Sequence, residues 1–486
     1  MTNKKNFNKL LLLILLISCT LLYGCSSDSL LHSFGQMVGL NMGPDSSDSL
    51  SDHTNGNDNH GTNGETTGYV EPLIENINEA SDISTNPSND GNNSDETTTN
   101  STTEAKAEAE TEAKADAKAE ATPEEEFIWD EENKTYSKTA ASPDEITISF
   151  AGDVLLSEGC SVLNNVIRND NDFTKSFDEG LLAHMQDSDI FMLNNEFPYS
   201  KGGAPLPGKD FTFRADSAYA SILESIGTDI VSLANNHAFD YGPDALDDTF
   251  TALRDVKMPY VGAGENINEA IKPAYMKING RTICIIAATQ IEGSMSVPHT
   301  RPATETQNGV FRCVDTTQIK EVVADAKTKS DFVIIFIHWG TERTDQVREW
   351  QKGTAMDLEG AGADLIIGAH SHCLQGIDYV NDTPVFYSLG NYLFNSNSQD
   401  TCLVTLTLDT ATDNRTTIKS LRFIPCRQGG GKTVLADDDN KARILKYEQG
   451  ISYHALIDSD GYVTYTEKNM NTQNGQNTSP MRKIEE

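Results

Sequence analysis

Phe332-Val333-Ile334-Ile335-Phe336-Ile337-His338-Trp339-Gly340 is a strongly apolar run that stops on a histidine and a glycine. The run reads as a strand, and an imidazole at its carboxyl end has little reason to be there for solvation. Working outward, the same arrangement recurs. Ile146–Phe150 leads into Gly152-Asp153, Ile190–Leu193 into Asn194-Asn195-Glu196, Ile230–Leu233 into Asn235-Asn236-His237, and Leu365–Ile367 into His370-Ser371-His372. Polar residues thus fall repeatedly at the carboxyl ends of predicted strands, the edge where open α/β sheets form their sites.

Further strand candidates are Ile283–Ala287, Val385–Tyr387 and Leu403–Leu408, and helical patterns cover Ala218–Ile226, Pro243–Arg254, Thr317–Lys327 and Trp350–Ala361. Strands alternating with helices imply βαβ units, and the later strands with fewer helices suggest a second sheet packed on the first. The expected fold class is α/β, a four-layer α/β/β/α sandwich over residues 144–430. An extension over 431–486 holds a helix and a hairpin turning at Asp458–Gly461, then a frayed tail from Lys468.

The start of the chain points to export. Lys4, Lys5 and Lys9 precede the apolar stretch Leu10–Leu22, too short to span a bilayer at about 20 residues. Leu22-Tyr23-Gly24-Cys25 resembles a bacterial lipobox, which makes Cys25 a lipidation site and residues 1–25 a lipoprotein signal peptide; an ordinary signal with a chance cysteine is the plainer alternative. Residues 26–143 carry 25 acidic and 5 basic side chains, −20 of the chain's −36. With few apolar groups to offset ordering entropy, this segment reads as a disordered acidic linker. A calcium-loaded or protein-binding role is the alternative, and its charge argues against nucleic acid. The expected location is the extracytoplasmic face of a cell membrane, held by lipid. Beyond Cys25 six cysteines remain, none spaced as C-x-x-C, which counts against a structural zinc site; Cys284 reads as a small buried hydrophobe.

At the strand ends the residue types are those of divalent-cation chemistry. Asp153 can ligate a cation or cap the next segment, and Glu196 has two oxygens with which to bridge two metals. In Asn236-His237 the amide suits a metal and the imidazole suits proton transfer to a leaving oxygen, with Asp240 placed to hold its other nitrogen. His338, and His370 with His372 as an H-x-H pair, complete the set.

Read in order, GDVLL (152–156), NNEFP (194–198), SLANNHAFDYG (232–242), HWGTE (338–342), GADLIIGAHSH (362–372) and YSLGNYLF (387–394) resemble the CapA-type capsule-synthesis, or poly-γ-glutamate biosynthesis, family, which is related to the calcineurin-like metallophosphoesterases. The resemblance spans about residues 145–400. It implies the four-layer sandwich and one or two divalent ions (manganese, iron, zinc or magnesium) on Asp153, Glu196, Asn236, His338, His370 and His372. It also implies His237 as the catalytic histidine. Three positions depart from the pattern: Leu155 stands where the superfamily has the histidine of D-x-H, Glu196 where it has aspartate, and Ser371 where many relatives have proline. The expected function is support of capsule or poly-γ-glutamate synthesis, export or anchoring by a hydrolase-type site. The expected partners are an extracellular polymer or its precursor and membrane synthase subunits. A non-catalytic assembly factor and a secreted phosphodiesterase are the other readings.

Overall fold

The computed structural model describes residues 128–291, 300–411 and 415–471. The signal peptide, Cys25, the linker up to residue 127 and the end of the tail lie outside them. The strands in chain order are β1 (Trp129–Asp130), β2 (Thr135–Ser137), β3 (Glu145–Val154), β4 (Ile190–Asn195), β5 (Ile230–Ser232), β6 (Tyr260–Val261), β7 (Ala263–Gly264), β8 (Ala274–Ile278), β9 (Arg281–Thr289), β10 (Gly309–Val310), β11 (Phe332–His338), β12 (Leu365–Ala369), β13 (Leu374–Val380), β14 (Thr383–Leu389), β15 (Asn391–Leu393), β16 (Gln399–Asp409), β17 (Thr417–Gly429), β18 (Lys432–Leu435), β19 (Ala455–Ile457) and β20 (Val463–Tyr465). Two large mixed sheets result. One runs β1-β2-β8-β9-β11-β12-β14-β13 and the other β18-β17-β16-β3-β4-β5-β6, with β15 also paired to β3.

Alternation along the strands builds three apolar layers. Ile146, Ile148, Phe150 and Met192 from one sheet meet Ile283, Ile285, Ile334 and Phe336 from the other, forming the core between the sheets. The opposite faces bury Phe191, Leu193 and Val231 under helices Ser161–Arg168 and Pro243–Asp255, and Cys284, Val333 and Ile335 under Thr317–Lys327 and Glu349–Ala361. This is the expected four-layer sandwich. In the parallel runs β3-β4-β5-β6 and β9-β11-β12-β14, carboxyl ends share one rim in each sheet, and the polar blocks sit there.

Two expectations are corrected. The linker expected to reach residue 143 ends earlier: β2 pairs with β8, and Tyr136 is buried in the core between the sheets. Strands of two and three residues carry too little alternation to register in the sequence. The helix expected over Ala218–Ile226 is two 3₁₀ segments, Ser217–Ile222 and Glu224–Ile226, closed by Gly227 at φ 83°. Ser221 and Ser225 donate to carbonyls three residues back, competing with the α-helical ladder. The extension is integral to the domain, since Ile444, Leu445, Ala455 and Val463 join the core between the sheets. Its helix is Asp438–Ile451 and its hairpin turns where expected. Among the described residues no helix is long and apolar enough to cross a membrane. The six described cysteines are free thiols, with Cys284 fully buried.

Candidate metal centre

Asp153 faces the gap between the sheets because β3 carries a bulge. Phe150 pairs with Met192 but Asp153 pairs with Asn194, so β3 spends one residue more than β4 over the same distance. The extra residue flips the alternation and turns Asp153 to the inner side. Gly152 permits this, since a Cβ there would lie 2.0 Å from the Gly390 carbonyl oxygen. The other sheet brings His338 at the end of β11, then His370 and His372 in the turn after β12. Both histidines of that turn have left-handed backbones, at φ 94° and 56°. Such conformations cost about 1–3 kcal/mol and persist where the surroundings impose them. Ser371, in the place of the expected proline, ties the turn by donating to the Cys373 carbonyl.

The six expected ligands converge. Asn236 Oδ1 lies 2.8 Å from His338 Nε2, which is 3.1 Å from His370 Nδ1 and 3.6 Å from Glu196 Oε1. On the other side of Glu196, His372 Nδ1 is 3.5 Å from Asp153 Oδ2. Ligand-capable atoms of Glu196, His370 and His372, and of Asp153, Glu196 and His338, form two tight groups that share Glu196. All six residues are buried except His372, which is partly exposed.

The charge balance of this cluster fits a divalent cation. Burial, and then the neighbouring Asp153 charge, push the Glu196 carboxyl well above its usual range. Burial and then the charges of His370 and His372 drive His338 well below the imidazole norm, leaving neutral nitrogen for a metal. For His372 burial works downward, yet Asp153 and Asn391 outweigh it and the net movement is upward. Glu196 Oε1 is buried with no hydrogen-bond partner, an orphaned oxygen that a cation would satisfy. Asn194 donates 2.8 Å to Asp153 and Asn235 donates 3.0 Å to Asn194, a chain of amides that fixes the carboxylate.

His237 and Asp240 are placed as expected. His237 Nδ1 is 2.7 Å from Asp240 Oδ2, and the backbone N–H of Phe213 also donates to that oxygen. Burial holds His237 below the usual value although Asp240 pulls upward. Two participants escaped the sequence reading. Lys209, from the loop before Phe213, has a buried side chain with its ammonium on Asp240 and on the Asn236 carbonyl. Asn391 places its side-chain oxygen 2.8 Å from His372 Nδ1. Asn391 lies in a motif already quoted, whereas Lys209 has no local signal at all. Beyond His370 a cleft of about 610 Å³ opens between Gln290, Glu342 and the half-exposed Trp350.

The family described as "Bacterial capsule synthesis protein PGA_cap" matches residues 147–396. The PGA biosynthesis protein CapA of Bacillus subtilis is 28% identical over 284 residues, covering 57% of this chain and 72% of that protein. The capsule biosynthesis protein CapA of Bacillus anthracis is 27% identical over 312 residues, covering 62% and 72%. Among solved structures, 5'-nucleotidase from Candida albicans is superposable at a TM-score of 0.31 and 12% identity over 59% of this chain and 52% of that one, too loose a likeness to carry an argument.

Proposed function

The chain belongs to the bacterial capsule synthesis protein PGA_cap family, and from that premise we propose that it supports the synthesis, export or anchoring of an extracellular polyglutamate-type polymer through a metal-dependent hydrolase or transferase site. The observation that carries this reading is the convergence of six donors from both sheets, the orphaned Glu196 oxygen among them. Divalent cations held by Asp153, Glu196, Asn236, His338, His370 and His372 would supply Lewis acidity toward an ester or amide and hydroxide at neutral pH. The names of the two Bacillus relatives support the polymer assignment.

The chain's own residues handle the proton. Asp240 engages Nδ1 of His237 and so leaves Nε2 as the reacting nitrogen. Burial holds the ring below the usual imidazole value, so neutral Nε2 takes up the proton lost when water becomes the attacking hydroxide and hands that proton to the leaving atom. Lys209 restrains Asp240 from the far side. The test is His237→Ala: turnover of a polyglutamate or phosphodiester substrate disappears while metal content stays, and unchanged turnover refutes the assignment. The lipidated Cys25, the acidic spacer and docking to membrane synthase subunits complete the proposal, which places the domain on the outer face of the membrane.

A second reading, a non-catalytic assembly partner of a membrane synthase, has one observation in its favour. Leu155 packs into the apolar layer under the helices and brings no ligand to the site. Function in cells that survives His237→Ala but not loss of the tether would select it.

A further inference from the structure

The position that lacks its expected histidine has another strand beside it. β15 runs beside β3 with Asn391 in register with Asp153. The main chain of Leu155 bonds to Leu393 of the same strand, while its side chain turns away. We infer that Asn391 is a metal ligand, its side-chain oxygen replacing the missing histidine on the Asp153 side of the centre. The inference rests on the metal reading of the site given above.

The orientation of the amide is fixed from behind. Asn391 Nδ2 donates 3.0 Å to Gln399 Oε1, and Gln428 Nε2 donates 2.9 Å to the same oxygen. Gln428 Oε1 in turn accepts from the backbone N–H groups of Phe394 and Asn395. With its nitrogen engaged there, Asn391 can present only Oδ1 to His372. Asn391 is itself buried, so this oxygen does not serve solvent.

The spacing matches the other side of the centre. Asn391 Oδ1 to His372 Nδ1 is 2.8 Å, the same as Asn236 Oδ1 to His338 Nε2. Donors held by one octahedral cation at about 2.1 Å stand about 3.0 Å apart. Each side therefore has one amide oxygen beside an imidazole, with Glu196 between them. The two sides differ in hardness. Around His372 the neighbouring donors are oxygens, from Asp153 and Asn391, whereas Asn236 stands beside the imidazole of His338, itself 3.1 Å from that of His370. The Asp153 side thus favours a hard cation such as Mn²⁺ or Mg²⁺, and the other accepts softer borderline ions equally well.

The test counts manganese on the full chain, stripped with chelator and equilibrated by dialysis against saturating Mn²⁺. The parent holds two equivalents; Asn391→Ala and the near-isosteric Asn391→Leu hold one, and Asn391→Asp, which keeps an oxygen in place, holds two. Saturation separates ligand from supporting partner, because loss of an outer partner weakens binding by about 10–100-fold and leaves the count intact. Paramagnetic resonance gives a second readout: the coupled signal of a manganese pair gives way to that of isolated ions in the Ala and Leu variants. Circular dichroism identifies any variant that has not folded, and the other truncation then decides. A count in the folded Ala or Leu variant equal to the parent's overturns the assignment. A parent that binds no manganese overturns the metal reading of the site, and this assignment with it.

Discussion

His338 Nε2 and Asn236 Oδ1 lie 2.8 Å apart, although one closes β11 in the first sheet and the other follows β5 in the second. The centre is therefore a joint between the two sheets, and whatever it holds ties them together. Metal should stabilise the fold by mass action, by about 2.7 kcal/mol at a hundredfold excess over Kd. Chelator-treated and Mn²⁺-loaded protein compared by thermal unfolding should show the loaded form melting higher, and equal midpoints would place the metal elsewhere.

Metal uptake should expel protons. A raised Glu196 pKa means that the metal-free carboxyl keeps its proton to unusually high pH, and ligation needs the carboxylate. His372 moves the same way, while His338 is already neutral and adds no competition. Affinity should therefore rise with pH, about tenfold per unit for each proton displaced, until the raised values are passed. Calorimetry in buffers of different ionisation enthalpy counts the protons; none released would contradict this electrostatic account.

Lys209→Met should destabilise the protein by about 3 kcal/mol, because it strands the Asp240 carboxylate in the interior with only His237 and one backbone N–H. Urea unfolding measures this. Asp240→Asn together with Lys209→Met should recover part of the loss, since the double change leaves no buried charge unpaired. A double variant as unstable as the sum of the singles would mean that Lys209 acts through packing alone.

Gly152→Ala should cost about 3 kcal/mol. The added Cβ would meet the Gly390 carbonyl at 2.0 Å, a backbone atom that cannot swing aside. Because the same glycine sits in the bulge that turns Asp153 inward, bound metal should fall along with the unfolding midpoint. Lower stability with undiminished metal would separate the bulge from the site.

The site was legible where chemistry coincides with periodicity. Asp153, Glu196, Asn236, His338, His370 and His372 each follow an apolar run, so strand ends could be located and their polar residues read as converging. Lys209 reaches Asp240 from an irregular loop with no pattern, and its burial depends on tertiary packing that no local spacing encodes. Asn391 was visible only as part of a motif, because its oxygen is aimed by Gln399 and Gln428 across two other strands. The boundary at 143 failed for a related reason: β1 and β2 hold five residues between them, and their acidic surroundings match the linker that precedes them.

That boundary is open to test. Protein that begins at residue 144 loses β1 and β2, uncovering the edge of β8 and removing the buried Tyr136 ring. Compared with protein that begins at residue 128, it should be less stable by at least about 2 kcal/mol. Equal urea midpoints would return these residues to the linker.

The most direct measurement is the metal content of the full chain beside its His370→Ala, His372→Ala double variant, each purified under the same conditions and then offered manganese or zinc. Bound metal in the parent that is lost in a folded double variant is the predicted result. A parent without metal after loading, or a double variant that retains all of it, would contradict the account.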